Sequence, residues 1–404
     1  MMDNQKTYSV SSHCRSCKSD NVEQLYKMHD IPVAGIYYDS IDEPLDINAP
    51  MTLSMCRSCG LMQLSETIDP CIYDDYNFAG STMPTYAQHL KRTAEMLVNR
   101  MGIREKEVFE VGASDGLLLK YLSEMGNNKV SGIEPSMKLC RVAETFGINV
   151  TQGYFNKNFI DKNDHKYDCI IIRHVLEHID DLNDMVFSLA GVLKTNGILL
   201  IEVPDAEEIL RKRLYSNIFH EHLNYFSKAS LNNLLSRYGL RNIHTEKVDI
   251  HGGSFLSVYS FGKLEEAVSF YNSHDLIPMM EFSKDIEMYY AQLGSKIKSM
   301  QSLGKKVLGY GASHRTFVIL GNAGLKKENI PIIFDINPFL HHRYMNGFHS
   351  LVSPVEKIAY YKPDVVVVFA SSYEQEIVNE LRGKYNYDKE ILSIRSEVIM
   401  HENM

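Results

Sequence analysis

The chain has 404 residues, 44% of them hydrophobic and 23% charged, with a net charge of −9, a composition that suits a globular protein of two or three domains. The acidic balance argues against nucleic acid as a partner, because phosphate binding needs a basic surface. No apolar run approaches the roughly 18 residues of a membrane span, and MMDNQKTYSVSSHC lacks the basic and apolar parts of a signal peptide, so no membrane contact and a cytoplasmic location are expected.

Four of the seven cysteines stand in two pairs, Cys14 and Cys17 in CRSC and Cys56 and Cys59 in CRSCG. Thiolates two residues apart on a tight turn share one tetrahedral metal, and two such turns complete a four-sulfur zinc site. The long insert between them leaves room for a small β-rich lobe. A disulfide is disfavoured on redox grounds, and a redox CxxC would call for a βαβ setting that is missing here. No further ligand is apparent, so this zinc is expected to hold a fold together. Cys71, Cys140 and Cys169 read as buried small residues. The next stretch is a loop dense in Tyr73, Tyr76 and Phe78, which either packs between lobes or closes over a substrate. A helix follows, with Tyr86, Leu90, Ala94 and Val98 on one stripe.

VFEVGASDGLLLKYL then reads as an apolar strand, a glycine turn (Gly112, Gly116) and an apolar-periodic helix, the opening of a nucleotide-binding α/β domain. A dinucleotide fold needs G-x-G-x-x-G and a P-loop needs a Lys with Ser or Thr; this turn has neither. Glu110 and Asp115 at its rims would repel phosphate but suit a cation with an amino acid tail, which is a description of S-adenosylmethionine. The next strand, KVSGIEPS, ends in Glu134, placed to hold two ribose hydroxyls. An acidic strand–turn–helix without a ligand would explain the turn but not this ordered set. The set resembles the class I methyltransferases.

YDCIIIRHVLEHI is a further buried strand whose carboxyl end faces the switch point of such a sheet; it carries His174, Glu177 and His178. The order H-x-x-E-H is not that of a zinc protease and no third ligand follows at helical spacing, so metal catalysis is the minor reading. After the strand GILLIEVPD comes NIFHEHLNYFS, where His220, Glu221 and His222 stand among Phe219, Tyr225 and Phe226. Histidine can take a proton near neutral pH and a neighbouring carboxylate can raise its basicity; the bland alternative is a polar surface loop. His251, Gly252, Gly253 and Ser254 make a flexible turn into a strand, suited to close backbone approach to a ligand. A helical connector over 264–303 leads to a second Rossmann-like unit: a strand at Val307–Tyr310, a Gly309/Gly311 turn, a strand ending in Asp335, and VVVV. Its third glycine position carries Arg315, which makes it a poor NAD site. Ser313, His314 and Arg315 at the helix start would suit a phosphate instead, against a purely structural turn.

A CxxC…CxxC lobe, the acid-rimmed turn, H-E-H-x-x-Y-F-S, H-G-G-S and a second Rossmann-like unit, in that order, resemble the bacterial sugar C-methyltransferases, such as the 3-C-methyltransferases of nucleotide-linked 4-keto-deoxysugar pathways. The resemblance spans the whole chain and implies three parts: a zinc-binding lobe at 1–75, a class I methyltransferase domain at 76–262, and a connector with a C-terminal Rossmann-like domain at 263–404. It also implies S-adenosylmethionine and structural zinc as cofactors and a nucleotide-linked keto-deoxysugar as the substrate. His222 would then be the base beside the ketone, with Glu221 next to it and His178 and Tyr76 lining the site. Glu110, Gly112, Asp115, Gly116, Glu134, Pro135, Phe155 and His174 would hold the cofactor. Tyr73, Asn224, His251, Ser254, Ser313, His314 and Arg315 would face the sugar and its nucleotide. Two departures stand out. The family usually has Tyr where this chain has Phe219, and its C-terminal turn commonly reads G-A-x-x-K-G where this one runs Gly311-Ala312-Ser313-His314-Arg315-Thr316. Arg binds as a planar fork, so phosphate geometry would change. The rival expectations are O- or N-methylation of a nucleotide sugar, and a non-catalytic nucleotide-sugar-binding protein that would have no need of Glu110, Asp115 and Glu134. The oligomeric state is left open.

Overall fold

Unbroken apolar runs such as Cys169–Ile172 and Val365–Val368 bury both faces of a strand and so call for helices on either side. Both runs are fully buried, each inside a seven-stranded sheet. The computed structural model describes residues 8–42, 46–69, 84–161, 165–262 and 277–395; Cys71, Tyr73 and Tyr76 lie outside them.

The first large sheet runs in the order Leu240–Val248, Ser254–Phe261, Leu193–Pro204, Tyr167–Arg173, Glu107–Val111, Lys129–Glu134, Val150–Gln152. Ser254–Phe261 is antiparallel to both its neighbours and the other pairings are parallel. This is a doubly wound sheet closed by a reversed hairpin. The chain begins in the middle, winds to one edge, and crosses back at Tyr167–Arg173. Its switch point therefore lies between the carboxyl ends of Glu107–Val111 and Tyr167–Arg173, where a ligand crevice forms. The helix Pro84–Asn99 covers one face, and the expected stripe Tyr86, Leu90, Ala94 and Val98 is buried.

The second large sheet runs Glu390–Ser393, Val365–Val368, Val307–Tyr310, Ile332–Asp335, Leu351–Pro354, Tyr344–Met345, Tyr37–Tyr38. Its last strand comes from the N-terminal lobe and pairs antiparallel with Tyr344–Met345. The lobe's own sheet, Val22–Pro32, Asn48–Cys56 and Met62–Leu64, takes Asn224–Tyr225 of the middle segment as its edge. The three segments are thus laced together by exchanged strands. The helix Ile277–Ser302 follows the expected connector. It buries Phe282, Ile286, Tyr289, Leu293, Ile297 and Met300 at three- and four-residue spacing. One apolar core runs from Met51 and Leu53 of the lobe through Phe219 and Tyr225 to Ile286, Phe317 and Ile333.

Candidate active site

The expected cofactor end is built by the turn after Glu107–Val111. Gly112 and Gly116 have φ of +69° and +73°, and a Cβ on Gly112 would stand 2.4 Å from Val175 Cγ2. Only glycine lets the two strand ends close there. Glu134, at the end of the next strand, accepts Ser114 N at 3.0 Å and Ser136 N at 2.9 Å, and burial raises its pKa. Asp115 is buried and accepts Leu117 N at 3.3 Å. Glu110 sits deeper than a rim residue would. Arg173 donates to its Oε1 at 3.0 and 2.9 Å, while Oε2 is buried without a hydrogen-bond partner among the described residues. Burial pushes Glu110 up to about 7 against the pull of Arg173. Pro135 is exposed beside Glu134. Phe155 is buried in a ring cluster with Phe109 and Phe159 at 6.0 and 5.6 Å.

His174 leaves its strand with φ +51° and turns its ring inward. Nε2 lies 3.2 Å from Glu202 and Nδ1 3.4 Å from Glu177, and His89 Nε2 reaches the same Glu202 oxygen at 2.8 Å. Burial lowers the His174 pKa, but the two carboxylates outweigh it and hold it at about 9. His251 meets this ring edge-on at 4.8 Å, and burial first, then the neighbouring His174 and Arg315 charges, holds it neutral.

The H-E-H stretch lies alongside. A tight turn, His222 N to Phe219 O at 3.0 Å, sets the His222 ring 4.0 Å from Phe219 and edge-on to His178 at 4.9 Å. One donor atom each of Glu177, His178 and His222 lies within 4.8 Å of the others. His178 Nδ1 donates to the Glu221 carbonyl at 2.8 Å. His222 Nδ1 has no hydrogen-bond partner among the described residues, and burial, then His178 and Arg315, holds this imidazole well below its usual pKa. Burial pushes the Glu221 carboxyl up to about 8. His220 points away, donating to the Ala49 carbonyl at 3.0 Å.

Several expected substrate contacts have protein partners. Asn224 donates to the Ile179 carbonyl at 2.7 Å and so latches the turn that carries His178. Ser254 Oγ donates to Ile250 O at 3.1 Å. Ser313 N donates to Thr316 Oγ1 at 3.3 Å, which makes it a helix cap. Arg315 donates to the His251 carbonyl at 2.9 Å and to Ser372 Oγ at 2.8 Å, tying the two Rossmann-like units together. His314 faces Glu221. Arg173, Glu202, His89 and Gly35 escaped the sequence reading. For Arg173 there was a signal, a lone cation directly after the apolar run Cys169–Ile172; for the others there was none.

The cysteines converge as expected. Cys14 and Cys59 sulfurs are 3.5 Å apart, as are Cys17 and Cys56, close to the ~3.8 Å edge of a zinc–thiolate tetrahedron.

Three family models match consecutive parts of the chain: "Putative zinc binding domain" over residues 14–72, "Methyltransferase domain" over 86–245 and "C-methyltransferase C-terminal domain" over 249–392. The C-methyltransferase NovU of Streptomyces niveus is 25% identical over 383 residues, 91% of each chain. The chain is a methyltransferase, similar part by part and along nearly its whole length to C-methyltransferases. Solved structures that match include the magnesium protoporphyrin IX methyltransferase ChlM of Synechocystis PCC 6803 with bound SAH (19% identity, 44% of this chain and 84% of that one, TM-score 0.36). A Pyrococcus horikoshii protein matches at 19% identity over 46% of this chain and 95% of its own, TM-score 0.39. As a methyltransferase the chain uses S-adenosylmethionine, and its four-cysteine site is a structural zinc site. The donor set fits both groups. The turn expected to take the cofactor offers the buried acids Glu110, Asp115 and Glu134, with one Glu110 oxygen that has no hydrogen-bond partner among the described residues, and Arg173 is engaged by Glu110. Among the described residues no helix is long and apolar enough to cross a membrane.

Proposed function

We propose that this C-methyltransferase acts on a nucleotide-linked keto-deoxysugar and that His222 removes the proton next to the ketone. The observation that carries the reading is His222 itself: a neutral imidazole with an unpartnered Nδ1, wedged between His178 and Phe219. A carbon bound to hydrogen becomes a nucleophile only when a neighbouring carbonyl lets its proton leave, so the site needs a base in its neutral form. S-adenosylmethionine, when bound, supplies an electrophilic methyl on a sulfonium centre.

The chain's residues account for the remaining demands. Negative charge gathers on the ketone oxygen and needs donors preorganised in a site poor in water. Glu221, kept protonated by burial, is the donor beside His222 that can serve, and His178, whose Nδ1–H is engaged by the Glu221 carbonyl, joins it only as an imidazolium that donates from Nε2. Phe219 offers no hydroxyl, so the phenol that the resemblance leads one to expect is replaced by an apolar wall. Glu110, Asp115 and Glu134 hold the cationic cofactor, and positioning of two substrates in one crevice supplies much of the remaining acceleration. Transfer to a sugar oxygen or nitrogen is the second reading, since it too can use a histidine base.

His222→Ala is expected to bind S-adenosylhomocysteine as the wild type does and to lose turnover by a factor of hundreds or more. Calorimetry reads the first and methyl transfer to a panel of dTDP-, GDP-, CDP- and UDP-linked keto-deoxysugars the second. Turnover near the wild-type level would remove His222 from the role, and a product methylated on oxygen or nitrogen would replace the reaction class.

A further inference from the structure

Glu221 and His314 come from opposite sides of the crevice and meet at the edge of the histidine cluster. Glu221 Oε2 lies 3.4 Å from His314 Nδ1, with the carboxyl side chain 6% and the imidazole 27% exposed. The His314 ring stacks on Phe219 with centroids 5.9 Å apart and planes at 12°, so the apolar wall beside His222 is also the platform that fixes His314. A third segment closes on the pair. A Cβ on Gly35 would stand 2.3 Å from His314 Nε2 and 3.4 Å from Glu221 Oε1, and Gly35 has φ +85°. Tyr37, two residues on, donates to the Ala312 carbonyl at 2.6 Å, which ties that segment to the turn just before His314.

We infer that His314 is a positioning residue for the Glu221 carboxyl, contributed by the C-terminal domain, so that the acid beside His222 is complete only when the Gly35 segment and the C-terminal turn are both docked. The inference rests on the proposed role of His222 and goes beyond it. A neutral His314 that turns Nδ1–H toward Oε2, 3.4 Å away, leaves Oε1 to carry the carboxyl proton. Burial favours this arrangement, raising Glu221 to about 8 and, together with His178 and Arg315, lowering His314 to about 4. The ionisable groups facing the pair are His178, His222, Arg315 and the Tyr37 phenol. Two of these, His178 and Arg315, add to burial in disfavouring a protonated His314.

His314→Ala, His314→Asn and Gly35→Ala test this in the full-length protein. The first readout needs no substrate: the infrared band of a protonated carboxyl, assigned by its loss in Glu221→Gln and followed through alkaline pH. His314→Ala and Gly35→Ala are expected to shift that band and move its titration, and His314→Asn, whose side chain restores a donor near Nδ1, to return it toward the wild type. The second readout is methyl transfer to a dTDP-linked 4-keto-6-deoxyhexose. The expectation is a kcat lower by about 10- to 100-fold with KM within about threefold, and an alkaline limb that moves with the band. An unmoved band in His314→Ala would overturn the inference, as would a rise in KM alone, which would make His314 a plain substrate contact. The base assignment fails separately: turnover retained in His222→Ala would sink that reading while leaving the band assignment intact.

Discussion

At the scale of single residues the site is a set of buried charges whose proton affinities are pushed apart. His174 is held at about 9 because burial, which lowers it, is outweighed by Glu177 and Glu202. Its folded value lies above the unfolded one, so its stabilisation is fully present below the ordinary imidazole range and is lost as pH rises through about 9. The size is on the order of 3 kcal/mol. Glu221, raised to about 8 by burial, acts in the same direction, since the folded state keeps a proton that the unfolded chain has released. Thermal unfolding is therefore expected at a lower temperature at pH 9 than near pH 6.5, with a flatter alkaline limb in His174→Gln and in Glu221→Gln. A stability that rises over that window would contradict the ion-pair account. On the acid side the signs reverse. His220 and His314 are buried neutral with values of about 4, so they withdraw stability as pH falls below the imidazole range.

At the scale of elements, the turn carrying His178 depends on a neighbour 45 residues away in sequence. Asn224 Nδ2 bonds the Ile179 carbonyl, and the two-residue strand Asn224–Tyr225 is itself held by Met62 and Gln63. Removing that amide leaves a part-buried carbonyl without this donor, at a cost of about 1 kcal/mol or somewhat more. Asn224→Ala is thus expected to lose about that much stability and to lower turnover while S-adenosylhomocysteine binding holds. Loss of cofactor affinity in step with turnover would show instead that the whole crevice had moved. The main elements were legible in the sequence because they carry strong local signals: unbroken apolar runs, the glycine turn, paired CxxC motifs and a four-residue stripe at Tyr86–Val98. Tyr37–Tyr38 and Asn224–Tyr225 were not, since a strand of two residues has no period to read. The same limit explains the site. The acid-rimmed turn and the H-E-H stretch announce themselves, whereas His89 with Glu202, or Glu221 with His314, are partners only through the tertiary fold.

At the scale of the whole molecule, the zinc lobe shares its core with the first large sheet and a strand with the second. Cys14, Cys56 and Cys59 pack in the same core as Phe109, Ile170 and Phe226, and the lobe lends Tyr37–Tyr38 to the far sheet. Metal binding by unfolded thiolates is coupled to folding. Stripping zinc with a strong chelator is therefore expected to add a separate unfolding transition at lower temperature and to abolish turnover, with both restored by zinc. Full activity in protein shown by metal analysis to lack zinc would overturn the structural role.

The most direct test of the central claim separates proton removal from methyl transfer. The enzyme, with S-adenosylhomocysteine in place of the methyl donor, is incubated in D2O with the panel of nucleotide-linked keto-deoxysugars, and deuterium is located by NMR. Exchange confined to the carbon beside the ketone, in one nucleotide class and lost in His222→Ala, is the predicted result. Exchange that persists in that variant, or the absence of exchange beside the ketone in every nucleotide class, would contradict it.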